Sequence, residues 1–203
     1  MSGSLARISR PVRTVFLVPL LTLFLSGCGL NDIPTYAEQA KAKWSEVLNQ
    51  YQRRNDLIPN LVETVKGFAK QESTVLEAVT AARARATAIQ VNASTITDPD
   101  AFKKFQDAQA QVSGALGRLL AVSERYPDLK SNANFLALQS QLEGTENRIA
   151  VARRDYIEAV RVYNTELRTF PGRIWAVLLY SSSKPMEEFT IDDAAKRVPQ
   201  VKF

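Results

Sequence analysis

The sequence contains no histidine and only one cysteine, Cys28, in 203 residues. Without histidine, the common zinc sites and the Ser–His and Cys–His catalytic arrangements cannot be assembled. A lone cysteine has no second thiol for a disulfide within the chain or for a redox pair. The sequence also lacks a glycine-rich phosphate loop, a calcium loop and a Glu-x-x-His pattern. We therefore expect no metal and no cofactor, and any catalysis would have to use carboxylates and arginines.

Excess positive charge is confined largely to the N-terminus. The formal net charge is +5, but Arg7, Arg10 and Arg13 lie in the first 27 residues, which contain no acidic residue. From residue 28 onward 23 cations face 21 anions, a net charge of +2. Binding to nucleic acid requires a basic surface, so we expect no nucleic-acid partner.

The N-terminal segment has the order of a secretory signal. The three arginines precede an apolar run at residues 15–25, and small residues follow at Ser26 and Gly27. This order predicts a signal peptide over residues 1–27. Eleven apolar residues are too few for a membrane-spanning helix, which needs about 20. The uncharged stretch extends over residues 14–31, so an uncleaved transmembrane helix is the alternative.

Cys28 ends a motif, Leu25-Ser26-Gly27-Cys28, that resembles a bacterial lipobox. The resemblance implies that the thiol of Cys28 receives a lipid, that cleavage precedes this residue, and that the new amine is acylated. Cys28 is then a membrane anchor, since several acyl chains hold firmly. Gly29 after the cysteine favours the outer membrane over the inner membrane. Residues 28–34 are expected to form a short linker.

After the linker the chain has the pattern of an all-α protein. Glycine is rare, with 8 residues in the whole chain, and no run alternates apolar and polar β-formers. We expect four long helices, over residues 36–70, 73–89, 99–126 and 132–169. Helices of this length with short connections predict an antiparallel bundle.

Local signals fix the expected helix boundaries. Thr35 and Glu38 match a capping box at the first helix start. Pro59 lies inside that helix, where a proline removes a hydrogen bond, and it predicts a kink or short break over residues 55–58. Asp98 is the expected N-cap of the third helix, with Pro99 at its first position.

The fourth helix has the most regular apolar pattern. Its apolar and small residues are spaced alternately three and four apart over four heptads. The seam consists of Phe135, Leu138, Leu142, Thr145, Ile149, Ala152, Tyr156, Ala159 and Tyr163. Thr145 and Ala152 are weak residues for a coiled-coil seam, which favours packing within the chain over a long dimeric zipper. Gln139 and Glu146 lie off the seam, and we expect little cost when they are changed.

The pattern changes after Pro171. Residues 174–180 are rich in apolar and aromatic side chains, among them Trp175 and Tyr180. One interpretation is a short segment packed on the end of the bundle. The other is contact with a membrane surface or a partner, because Trp and Tyr suit both interfaces. Trp175 is therefore a candidate contact residue, and residues 172–203 form a C-terminal segment whose last part is expected to lie extended against the bundle.

Two blocks of the sequence resemble the LemA family: residues 44–86, "WSEVLNQYQRRNDLIPNLVETVKGFAKQESTVLEAVTAARARA", and residues 126–171, from "YPDLKSNANF" to "ELRTFP". The ending "VPQVKF" also fits. The resemblance implies an all-α antiparallel bundle, here over residues 35–171, behind an N-terminal membrane anchor. The lipobox departs from the transmembrane anchor of many relatives. The resemblance brings no established activity.

Two pairs of adjacent arginines are the least ordinary polar features. They are Arg53 and Arg54 in the first block, and Arg153 and Arg154 in the second. Arginine forks pair bidentately with carboxylates. These four residues are candidate contacts for an acidic partner or a lipid head group. The other interpretation is pairing inside the molecule plus solvated faces, for which Arg154 and Glu158, four apart, are suited.

The sequence therefore favours a non-catalytic, membrane-anchored envelope lipoprotein with its body in the periplasm. Such a protein would act as a scaffold or adaptor through contacts with an envelope protein, or assemble with itself. An enzyme using carboxylates and arginines is the alternative class.

Changing Cys28 to alanine tests the anchor. Cys28→Ala removes the sulfur that would carry the lipid, so it should abolish metabolic lipid labelling and leave an uncleaved or released protein. Labelling and fractionation of membranes measure both effects. Normal processing of the variant, with retention in the membrane through one hydrophobic helix, would show that the lipoprotein interpretation is wrong.

Overall fold

The computed structural model describes residues 29–190, which form helices, short turns and loops and contain no β-strand. The helices are α1 (Asp32–Phe68), α2 (Ser73–Ala88), α3 (Pro99–Ser123), α4 (Pro127–Lys130), α5 (Ala133–Arg168) and α6 (Gly172–Leu178). Short 3₁₀ turns occur at Lys70–Glu72 and Thr95–Thr97. The all-α fold with four main helices is confirmed. The predicted signal peptide, Cys28 and residues 191–203 lie outside the described residues.

Helix α1 begins earlier than the sequence predicted. It starts at Asp32, within the expected linker, and the N-cap residue Asn31 makes no side-chain cap hydrogen bond. Pro34 falls in the first turn, where a missing N–H costs nothing, and Asp32 places a negative charge at the positive end of the helix dipole. The backbone N–H of Thr35 donates to the carbonyl of Asn31 at 3.0 Å, so Thr35 is inside the helix and forms no capping box.

Helix α1 also continues through Pro59 without a break. Because proline has no N–H, the carbonyl of Asn55 loses its partner within the helix. The Nε–H of Arg83 on α2 donates to that carbonyl at 2.8 Å. Of the predicted kink or short break, the break is absent, and a donor from the neighbouring helix satisfies the backbone group that the proline leaves free.

The other helix boundaries follow the predicted caps more closely. The Asp98 carboxylate accepts from the backbone N–H groups of Asp100 and Ala101, at 3.0 and 3.1 Å, so the predicted N-cap of α3 is confirmed. Asn132 caps α5 by accepting from the N–H of Phe135 at 3.0 Å. Helix α3 ends at Ser123 rather than near residue 126, and the single turn of α4 begins at Pro127.

The four main helices run up, down, up and down. Lys43 Nζ of α1 lies 3.4 Å from Asp155 Oδ2 of α5, and Arg54 Nη1, further along α1, lies 3.1 Å from Glu146 Oε1, which is earlier on α5. These contacts show that α1 and α5 are antiparallel. Helix α2 packs back along α1 and against α3. The result is the antiparallel bundle predicted from the sequence.

The described part of the chain, residues 29–190, buries two clusters of side chains, which are stacked along the bundle axis. In the half that contains α2, four helices surround what we call the four-helix cluster, whose larger members are Ile58, Leu61, Val65, Leu76, Val79, Val112, Leu116, Leu119, Phe135 and Leu142. The other half holds what we call the aromatic cluster, whose aromatic members are Trp44, Tyr51, Phe102, Phe105, Tyr156, Tyr163 and Phe189, with aliphatic residues such as Ile33, Val47, Ile149 and Val160 between them. Contacting rings in the aromatic cluster have centroids 5.0–6.3 Å apart.

An extended segment, residues 184–190, lies on the aromatic half of the bundle. Met186 and Phe189 are buried in it. Asn164 of α5 exchanges two 2.9 Å hydrogen bonds with the backbone of Met186, and Tyr156 Oη donates to the carbonyl of Glu187 at 2.8 Å. The segment covers the half of the molecule that the short helix α2 does not reach.

The seam of α5 faces the interior. Its buried members are Phe135, Leu142, Thr145, Ile149, Ala152, Tyr156 and Tyr163. Leu138 and Ala159 are half-buried, and Val160 is buried beside the seam. Glu146 lies off the seam, as predicted, and its half-exposed carboxylate pairs with Arg54.

Truncation of a seam residue should destabilise the protein. Ile149→Ala removes buried methyl groups and leaves a cavity, which should lower the free energy of unfolding by about 2–5 kcal/mol. Val151→Ala is the matched control, since Val151 is 47% exposed on the same helix, and it should change stability by less than about 0.5 kcal/mol. Urea unfolding followed by circular dichroism measures both. Equal losses would mean that the buried face of α5 is assigned wrongly.

Candidate functional site

Arg54 is buried at the boundary between the two clusters. Its side chain is 1% exposed. Tyr51, one turn before it on α1, belongs to the aromatic cluster, and Ile58, one turn after it, belongs to the four-helix cluster. A charge in this position is costly unless other groups bond to it, since burial removes the water that would solvate it.

Two neighbouring helices supply those groups. Arg54 Nη1 donates to Ser113 Oγ at 2.7 Å and to Glu146 Oε1 at 3.1 Å. Arg54 Nη2 donates to Gln109, to the side-chain Oε1 at 2.6 Å and to the backbone carbonyl at 3.3 Å. The planar guanidinium fork therefore joins α1 to α3 and α5. Arg54 Nε has no hydrogen-bond partner within residues 29–190.

A second arginine lies beside this network. The Arg54 guanidinium carbon is 5.0 Å from the ring centroid of Tyr51, and that of Arg153 is 4.4 Å from the ring centroid of Phe189. Both distances are those of cation–π contacts. Burial raises the pKa of the Tyr51 hydroxyl, while the positive charges of Arg153 and Arg54 oppose the rise. Tyr51 therefore remains a neutral phenol at physiological pH.

These residues line a cleft of about 310 Å³, which we call the arginine cleft. Its lining includes Tyr51, Arg54, Asp107, Gln109, Ser113, Glu146, Arg153 and Thr190. Glu146 serves as the counterion of Arg54, and the side-chain oxygens of Gln109 and Ser113 accept from the same guanidinium. No group of three or more acidic, histidine or cysteine side chains within residues 29–190 could hold a metal ion. The arrangement is suited to locking helices together.

The structure separates the two members of each arginine pair. Arg54 and Arg153 converge on the cleft, whereas Arg53 and Arg154 are exposed to solvent. Trp175 is half-buried against the aromatic cluster. Cys28 lies outside the described residues.

The predicted pair of Arg154 and Glu158 does not form. Glu158 instead accepts two hydrogen bonds from Arg161, at 2.8 and 2.5 Å, and these bonds hold the pKa of Glu158 below its ordinary value. Arg154 Nη2 is 3.7 Å from Asp155 Oδ1, its neighbour in sequence. Glu158 has Arg154 four positions before it and Arg161 three positions after it, and it pairs with Arg161.

Sequence reasoning missed Gln109 and Ser113. The signal for Gln109 was present, because α3 places Phe102, Phe105, Val112, Leu116 and Leu119 at alternating spacings of three and four, and Gln109 occupies the one polar position of that seam. A polar residue on an otherwise apolar helix face indicates a buried partner. Glu146 could not be identified in the same way, since it lies off the seam of its own helix.

The fold is that of an all-α bundle whose helices are joined by a buried polar network. Residues 43–203 match the LemA family, and the chain belongs to that family. The family is bacterial and membrane-associated, and its members are not known as enzymes. No helix within residues 29–190 combines the length and apolar character that crossing a membrane requires.

Three relatives are magnetosome proteins. MamQ 1 and MamQ 2 of Paramagnetospirillum magneticum are each 27% identical to the chain over 185 residues, which is 83% of this chain and 67% of the relative. MamQ of Magnetospirillum gryphiswaldense is 26% identical over 164 residues, 73% of this chain and 60% of the relative. The similarity therefore extends over most of this chain and about two thirds of each relative.

Removing the buried guanidinium should destabilise the bundle. Arg54→Ala leaves the buried Gln109 side chain without its partner, and it leaves Glu146, whose side chain is 40% exposed, without its counterion, so we expect a loss of about 1–3 kcal/mol in the free energy of unfolding. Arg53→Ala removes the same charge from the neighbouring exposed position, so it should change stability by less than about 0.5 kcal/mol. Chemical denaturation of both variants measures the difference. Comparable stability of the two would contradict a locking role for Arg54.

Proposed function

We propose that this protein is a non-catalytic lipoprotein of the bacterial cell envelope that acts as a scaffold or adaptor. Cys28 is the lipid attachment residue, and the bundle lies in the periplasm. The outer membrane is favoured over the inner membrane because Gly29 follows the cysteine. The partner is another envelope protein, with self-assembly as the second form of contact.

The opposite placement of the two members of each arginine pair carries this proposal. Arg54 and Arg153 are used inside the molecule, by Glu146 and by the ring of Phe189. Arg53 and Arg154 present their charge to solvent from the two longest helices. Exposed cations held on a rigid body suit an acidic protein surface, because complementary charge guides association and selects the partner.

The hydrogen bonds already made in the arginine cleft favour a structural role over a catalytic one. Arg54 already bonds to four acceptor atoms, so it is not free to stabilise charge that develops on a substrate. Glu146 would have to leave Arg54 to act as an acid or a base. The names of the MamQ relatives describe components of a magnetosome rather than a chemical reaction, which is in line with a scaffold.

Crosslinking in intact membranes tests the adaptor role. The amount of partner protein crosslinked to the double variant Arg53→Ala/Arg154→Ala should be several-fold lower than the amount crosslinked to the parent chain, because the variant lacks the exposed charges. Its stability should change by less than about 0.5 kcal/mol per site, which circular dichroism checks. The matched control is Lys104→Ala/Arg118→Ala, which removes two exposed cations from α3 and should leave recovery unchanged.

Two results would contradict the proposal. Full recovery of partners with both arginines replaced would exclude these residues as the contact. Reproducible turnover by the purified protein that disappears on a single Asp or Glu substitution would establish the enzyme alternative. Mass spectrometry of the mature N-terminus separates the two forms of anchor, since an uncleaved transmembrane helix retains residues 1–27.

A further inference from the structure

The last helix leaves an apolar surface uncovered within the described part of the chain. Ile174, Val177 and Leu178 occupy one face of α6 and are 45%, 70% and 68% exposed. Phe170 and Leu179 flank them and are 83% and 57% exposed. We call these five residues the end patch. Single exposed apolar residues scattered over a surface are ordinary. Five within ten positions of one segment indicate a surface that contacts a membrane or another molecule.

The other face of α6 is fixed to the bundle. Trp175 and Ala176 pack against the aromatic cluster. The end patch therefore has a defined orientation and projects away from the core.

The N-terminal part of the chain reaches the described residues at this same end. Gly29 has φ +92°, and a Cβ built on it would lie 3.4 Å from Cγ of Pro171 and 3.9 Å from Nε1 of Trp175. Both contacts belong to the turn and helix that carry the end patch. Gly29, the first described residue, therefore lies beside the end patch, and Cys28 directly precedes it in the sequence.

Two arginines and two aromatic residues lie on the rim of the end patch, while the carboxylates of Asp32 and Glu166 lie beside Gly29 and Gly172. Arg168 precedes the end patch in the sequence, Arg173 lies between Phe170 and Ile174, and both arginines are exposed. Trp175 and Tyr180 are half-buried where the end patch meets the bundle. Arginines attract anionic phospholipid head groups, and Trp and Tyr favour the interface between head groups and acyl chains. An acidic protein partner would pair with the arginines, but it would leave the five apolar side chains of the end patch without an apolar contact.

We propose that the end patch inserts into the surface of the lipid bilayer in which the chain is anchored. This inference rests on the proposed lipid anchor at Cys28. Helix α6 then lies at the level of the head groups, and the bundle stands on the membrane with α1 leading away from it. A helix of 37 residues carries its far end about 55 Å from the membrane end. Acyl chains together with a peptide surface hold a protein more firmly, and in a fixed orientation, than acyl chains alone.

A nitroxide probe on the end patch tests the insertion. The full chain is purified from bacterial membranes and reconstituted in vesicles of phosphatidylethanolamine and phosphatidylglycerol. The variant Val177→Cys carries the probe. Leu136→Cys is the matched control, because Leu136 is an exposed apolar residue near the opposite end of α5. Cys28 does not take up the probe if its sulfur carries lipid. Collision of the probe with oxygen reports contact with lipid, and collision with a water-soluble nickel chelate reports contact with water.

We expect the ratio of oxygen to nickel collisions to be several-fold higher at position 177 than at position 136. Water-like values at both positions, on chains that float with the vesicles, would overturn the inference and leave the anchor intact. Low collision rates with both reagents at position 177 would overturn it as well, because protein would then cover the end patch, either residues 15–25 or a second copy. Chains that fail to float, with the probe on Cys28 of the parent protein, would overturn the lipid anchor itself.

Discussion

A buried positive charge at the middle of the bundle is the constraint on which the rest of the structure depends. The guanidinium of Arg54 has five N–H donors and no acceptor, so the helices around it must bring acceptors to within hydrogen-bond distance. Gln109 and Ser113 do so from α3, and Glu146 does so from α5. An apolar seam alone could tolerate a shift of one heptad between helices, whereas a shift would leave this guanidinium unpaired. We infer that the network fixes the register of α1, α3 and α5 in addition to joining them.

The same boundary explains why the molecule has two different halves. On one side of Arg54, α2 completes a four-helix arrangement, and Arg83 of α2 satisfies the carbonyl that Pro59 leaves free. On the other side, where α2 is absent, aromatic rings fill the interior and the extended segment at residues 184–190 covers them. That segment is not part of a sheet, so its backbone groups bond to Tyr156, Tyr163 and Asn164 of α5.

Different parts of the surface along the length of the bundle have different properties. The chain enters beside α6 and the apolar end patch, whereas the exposed members of the arginine pairs lie along the middle of α1 and α5. Attachment to a membrane and contact with a protein would then use separate regions of one rigid body. A long bundle suits this separation, because its helices carry a contact surface away from the bilayer without a flexible linker.

The amino-acid sequence by itself determined the fold class, the cap at Asp98 and the buried seam of α5, because periodicity and capping are local properties. It also identified the two arginine pairs. Only the tertiary structure decided which arginine of each pair is internal, since adjacent helical residues differ by about 100° in direction and their environment depends on neighbouring helices. The same reason explains the errors. A kink or short break at Pro59 was predicted from the hydrogen bond that proline removes, but the helix is unbroken there and Arg83, distant in sequence, donates to the carbonyl left free. Glu146 was placed off the seam from the pattern of its own helix alone, and that pattern could not show that Arg54 of another helix makes it a counterion.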